Sequence, residues 1–240
     1  MAFDPGNRWT AARGGAIPQA EIDVGLRAHM LRVYNYMGGG LALTGLIAYL
    51  TASSPYLVRS LFGTPLIWVI MLAPLGFVFA LSAGVSRFSL GTTQLLFWGY
   101  SAVNGLSLSV IFLIFTRHSI TEVFFITAAT FLATSLYGYT TRSDLSAMGS
   151  FLRMGVFGLL IAMVVNWFLG SSALDFAISV IGVGIFVGLT AWNTQSIKEN
   201  YDESYGEVAV HKLAIMGALQ LYLDFLNMFL FMLRLLGDRR

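Results

Sequence analysis

Seven apolar runs, separated by short polar stretches, set the pattern of this chain. They cover about Leu31–Leu50, Pro65–Val85, Thr92–Phe115, Ile120–Tyr139, Phe151–Leu169, Ala173–Trp192 and Leu213–Leu236. At 1.5 Å per residue, about 20 residues span a hydrocarbon core of roughly 30 Å, so each run predicts one membrane-crossing helix. Pro74 inside the second run is tolerated because neighbouring helices can satisfy the carbonyl it frees. Between the first two runs, Thr51–Pro55 reads as a polar turn. Small residues recur within the runs, at Gly38 to Gly40, at Gly155 and Gly158, and at Gly184 and Gly188 in a GxxxG spacing. Such positions let helices approach closely where lipid supplies no hydrophobic drive. Most of the tryptophans, Trp68, Trp98, Trp167 and Trp192 among them, read as lipid-facing or interfacial anchors.

The seventh run differs from the others. Gln220, Asp224, Asn227 and Arg234 follow at intervals of 4, 3 and 7, which at about 100° per residue puts them in a stripe roughly 80° wide on one face. Asp224 is the only one of the twelve acidic residues deep inside a run, since Glu122 and Asp175 lie near run ends. Ionising a carboxylate at that depth costs several kcal/mol unless a partner, water or a cation offsets it, which makes Asp224 the leading functional candidate. The same acid could instead act as interhelical glue, a hydrogen-bonded group that fixes the register of two helices.

Composition agrees with a multi-pass, all-α membrane protein. Hydrophobic residues make up 57% of the 240 and charged residues 11%, far from the roughly 25% charged of soluble domains. Residues 1–27 form a polar, Gly-rich segment without the apolar core of a signal peptide, read as a flexible cytoplasmic tail ahead of a membrane domain over 28–240. With seven spans, Arg8, Arg13, Arg27, Arg32, Arg87, Arg142, Arg153, Lys198 and Lys212 fall on the N-terminal side. Arg59, Arg117, Arg234, Arg239 and Arg240 fall on the other. Nine against five predicts a cytoplasmic N-terminus, and a last segment that turns back would satisfy the same rule. The acidic stretch from Lys198 to Lys212 reads as a solvated cytoplasmic loop, or as a vestibule that collects cations.

Other chemistry finds little footing. There is no cysteine and a net charge of only +2, too small to point to nucleic acid. His29, His118 and His211 are scattered without zinc spacing, and no nucleophile-elbow or phosphate-loop motif occurs, so no enzyme or cofactor is predicted.

Four long stretches carry a resemblance to a known family: LFWGYSAVNGLSLS (Leu96–Ser109), FITAATFLATSLYGYTTRSDLSAMGSFL (Phe125–Leu152), FAISVIGVGIFVGLTAWNTQSIK (Phe176–Lys198) and MGALQLYLDFLNMFLFMLRLLG (Met216–Gly237). In that order they resemble the Bax inhibitor-1 family in its bacterial branch. The resemblance implies seven transmembrane helices with the seventh central and wrapped by the other six, and residence in the bacterial inner membrane. It implies a proton-sensitive calcium leak, and for some bacterial relatives modulation of a membrane-bound AAA protease, which is the alternative function. Gating is attributed in the family to two facing aspartates, one in a motif like AYDTQ and one in LYLDF. Asp224 matches the second, while Asn193 stands at the first, within Ala191-Trp192-Asn193-Thr194-Gln195.

Two close carboxylates share a proton and titrate as a pair, which Asp224 and Asn193 cannot do. The amide of Asn193 can instead donate a hydrogen bond to the ionised acid or accept one from the protonated form. The expected gate and ion pathway is therefore Asp224, Asn193, Asn227 and Gln220, with Arg87 and Arg234 as candidate counter-ions. Calcium, which favours 6–8 oxygens, would bind at Asp224 only weakly and transiently, as a permeant ion, and monovalent cations or protons become credible cargo.

Overall fold

A computed structural model of the protein describes residues 19–85 and 87–240. Helices account for almost all of them: α1 (Gln19–Ser53), α2 (Pro55–Phe62), α3 (Leu66–Gly84), α4 (Leu90–Leu108), α5 (Ile111–Ile114), α6 (Arg117–Thr140), α7 (Ser146–Leu169), α8 (Ser172–Glu199) and α9 (Glu207–Leu236). Of the polar segment expected over residues 1–27, residues 1–18 lie outside the described residues and residues 19–27 open α1.

Cap residues in the sequence set where these helices start and stop. Ser54, Ser89, Thr116 and Ser171 each accept a hydrogen bond from a backbone N–H in the first turn of α2, α4, α6 and α8. Gly170 closes α7 in the left-handed conformation, φ 60°. The expected turn at Thr51–Pro55 is in fact a sharp corner between two helices. Proline cannot continue a helix but fits its first turn, so at Pro55 the chain restarts as α2, bent 99° from α1.

Six helices are long and apolar enough to cross a membrane, with α4 and α5 counted as one, and α1 with its bent continuation makes a seventh. This is an all-α membrane protein of seven transmembrane helices whose last one is central. α9 packs against α1, α4, α6 and α8, while α3 stands behind α4 and α7 behind α8. Two-thirds of the most apolar window of α9 is buried, against about a third or less in the other five long spans. Its Leu221, Tyr222, Met228 and Leu233 are at the centre of one apolar core.

The closest approaches of a glycine to the backbone of another helix fall outside the GxxxG spacing. A methyl group on Gly138 of α6 would run into the backbone of Ala191 on α8, and one on Gly105 of α4 would lie 2.7 Å from the carbonyl oxygen of Thr44 on α1. Gly188 does take the side chain of Leu152 against it, but Gly184, Gly158 and Gly38 have nothing within 4 Å. Trp68 and Trp167 are exposed as expected. Trp192 is not a free anchor: the Arg153 guanidinium stacks on it at 4.5 Å and its ring rests against Gly149.

The two faces of the bundle are tied differently. On the face where α9 begins, Lys198 donates to the Tyr139 carbonyl at the end of α6 and Lys212 donates to the Val85 carbonyl just past α3. Each lysine thus sits at the carbonyl-rich end of a neighbouring helix, where the helix dipole favours a cation. On the opposite face the residues after α9 pair with the connection between the third and fourth spans. Thr116 N–H donates to Asp238 O, Arg240 N–H to Ile114 O and Asp238 N–H to Ser119 Oγ. α9 is one unbroken helix of 30 residues, so the last segment crosses and does not turn back.

Candidate functional site

The site is built where α8 and α9 pack most extensively. Asn193 follows Leu189 by one turn of α8, and Asp224 follows Gln220 by one turn of α9, so both fall on the facing stripes of an apolar pair. Asn193 Nδ2 donates to Asp224 Oδ2 at 2.6 Å. Both side chains are buried, Asp224 at 4% exposure and Asn193 at 8%. Among the described residues Asp224 forms no ion pair, its hydrogen-bond partner being a neutral amide.

Asn193, Gln220, Asp224 and Asn227 line one cavity of about 370 Å³ between α7, α8 and α9, with Leu159, Met163 and Phe231 among its apolar walls. The cavity has room for several waters, and the polar groups a water needs are on its wall. Asn227 Nδ2 donates to the Leu223 carbonyl one turn back on its own helix, which turns its amide oxygen away from the backbone. The cavity thus presents one carboxylate and three amides to whatever enters it.

The two arginines are elsewhere. Arg87 is exposed in the connection between α3 and α4, and Arg234 is exposed near the end of α9, its guanidinium over the Phe231 ring at 5.6 Å. Arg234 is ten residues, about 15 Å along the helix, from Asp224. Neither pairs with the acid, because the helix geometry that aligns Arg234 with the polar stripe also carries it to the far aqueous end. No cluster of three or more His, Cys, Asp or Glu that could hold a metal occurs among the described residues.

Two polar networks flank the site that the residues alone did not announce. Tyr222, on the other side of α9 from the cavity, shares a hydrogen bond of 2.6 Å with Thr44 of α1 and accepts one of 3.0 Å from Asn104 of α4. Thr44 also donates to the Ser101 carbonyl. Between α1, α6 and α8, the hydroxyls of Tyr34, Ser135 and Thr194 form a chain with links of 2.7 and 3.0 Å. Next to Asn193, Gln195 accepts from the Leu145 N–H and donates to the Ser143 carbonyl, which fixes the α6–α7 connection to α8. Thr44 and Asn104 are polar residues in mid-run, but nothing in one run indicates which residue of another it will meet.

Comparison with known proteins adds the following. The chain matches the family described as Inhibitor of apoptosis-promoting Bax1 over residues 26–240. It is 49% identical to an uncharacterized protein, RP147, of Rickettsia prowazekii, over 91% of this chain and 93% of that one. It is 43% identical to the inner membrane protein YbhL of Escherichia coli K12, over 90% and 94% of the two chains. It is 38% identical to the uncharacterized protein YrjE of Lactococcus lactis, over 89% and 92%.

Proposed function

The chain belongs to the Bax inhibitor-1 family, and on that premise we propose that it is a pH-sensitive cation leak of a bacterial inner membrane, with Asp224 and Asn193 at the gate. The observation that carries this reading is the 2.6 Å contact between a lone carboxylate and an amide on the wall of an open-mouthed cavity between α7, α8 and α9. A stabilising role alone would be served as well by a sealed contact, whereas here Gln220 and Asn227 extend the polar surface one turn to either side of the acid. Residence in the inner membrane follows the likeness to YbhL, and a cytoplasmic N-terminus follows the excess of lysine and arginine on that side.

The gate works by the charge of one group. Ionised, Asp224 attracts a cation into the cavity and Asn193 steadies the carboxylate through its N–H. Protonated, the acid no longer offers a charge, and the helix contact is kept because the amide can accept from the carboxyl O–H through its oxygen. With a single carboxylate and amide oxygens for the rest, calcium is held weakly and monovalent cations compete with it.

Cation flux into liposomes holding the purified protein tests the reading. Wild type should pass calcium or sodium above the protein-free rate, and Asp224→Asn should lower that flux about tenfold or more, the scale set by losing the only charge on the pathway. Equal flux in the two proteins, or none in either, would contradict it and leave the non-conducting regulator of a membrane AAA protease as the family function to test.

A further inference from the structure

A second cavity, of about 240 Å³, adjoins α9 toward the face where α1 and α9 begin, and His29, Asn200, Tyr205 and Gln220 contribute its polar wall. His29 is 2% exposed, and its Nδ1 is the one buried side-chain polar atom without a hydrogen-bond partner among the described residues. Its ring packs on Tyr201 at 5.1 Å, which holds the imidazole in place without satisfying that nitrogen. A buried nitrogen left in this state is disfavoured unless water reaches it, and the adjoining cavity, with Asn200, Tyr205 and Gln220 on a wall otherwise mostly apolar, is large enough to supply that water.

Gln220 joins this cavity to the first. It lines both, and between Ala214 and Leu233 it is the one exposed residue of the central helix, the rest being buried or half-buried. It also stands one turn, about 6 Å, nearer the start of α9 than Asp224. Polar side chains therefore recur from Asn200 at the end of α8, past His29, to Gln220, which the second cavity shares with that of the carboxylate.

We propose that His29, Asn200 and Gln220 form a water-filled antechamber linking the N-terminal face to the Asp224 cavity, with His29 Nδ1 anchoring the water that hydrates a cation on its way in. The part assigned to the cation rests on the leak reading above; the existence of the antechamber does not.

The absence of cysteine makes the test clean, because a single introduced thiol is then the only one. Gln220→Cys, Asn200→Cys and, as a control buried on the central helix, Ala218→Cys are placed in vesicles and treated on one face with a small cationic methanethiosulfonate that does not cross lipid. Thiols react as thiolates, which water favours, so Gln220→Cys should react from the face carrying the N-terminus about tenfold or more faster than Ala218→Cys. Adding His29→Phe, which keeps a ring against Tyr201 but loses the nitrogen, should slow that reaction by a similar factor, and His29→Asn should slow it less. Reaction at the Ala218→Cys rate, reaction from the other face only, reaction with a lipid-soluble maleimide only, or indifference to His29→Phe would each overturn the antechamber. Labelling of Gln220→Cys in a protein that passes no cations would uphold the antechamber and sink the leak, and flux past an unreactive Gln220→Cys would do the reverse.

Discussion

Asn193 and Asp224, 31 residues apart in sequence, come from adjacent helices and meet in the buried interior through one hydrogen bond of 2.6 Å. The pair joins a group that can carry charge to one that cannot, so the interaction persists in either protonation state of the acid. Replacing Asn193 with leucine removes the donor and leaves the carboxylate unmatched. Interhelical hydrogen bonds in membranes are worth about 1 kcal/mol, so Asn193→Leu should lower stability by about that amount in reversible unfolding from bicelles, and Asn193→Gln by less.

The hydroxyl of Tyr222 is shared by α1, α4 and α9. Tyr222→Phe keeps the ring packed on Tyr100, 5.3 Å away, and removes only the oxygen that meets Thr44 and Asn104. Thr44 keeps the Ser101 carbonyl and Asn104 keeps the Tyr100 hydroxyl. The expected loss is therefore about 1 kcal/mol, with no change in labelling at position 220, because this network lies across α9 from the cavities.

Glycine positions give a prediction that separates true close approach from motif. Gly138→Ala forces α6 away from the Ala191 backbone and should cost about 1–3 kcal/mol, the range for overpacking. Gly184→Ala, in the GxxxG spacing but with nothing within 4 Å, should leave thermal unfolding in detergent within the error of wild type.

The residues after α9 hold its end to the α5–α6 connection. Removing Asp238, Arg239 and Arg240 takes away four hydrogen bonds and the paired backbone of Phe115 and Arg239. Amide exchange at Thr116 and Arg117 should become faster, while amides in the middle of α9, such as those of Leu221 and Tyr222, keep wild-type protection.

The spans and the stripe of Gln220, Asp224 and Asn227 were legible in the sequence because both depend on local periodicity. Of that stripe Asp224 faces protein, whereas Asn227 is half-buried and Gln220 is exposed. Asn193 was legible only through the likeness of its surrounding residues to a family motif, since an amide in an apolar run has many ordinary uses. The distance of Arg234 from Asp224 was hidden for a related reason: a shared helical face says nothing of distance along the helix. The partners of Tyr222, the close approach at Gly138 and the empty side of His29 Nδ1 belong to contacts between distant segments. No pattern within one segment encodes them.

The pH dependence of cation flux in wild type and Asn193→Asp, measured in the same liposomes, bears most directly on a gate made of one acid and one amide. Wild type should follow a single titration. Restoring a second carboxylate 31 residues away in sequence and in contact with the first should split that titration into two coupled steps. Superimposable profiles for the two proteins would contradict the account.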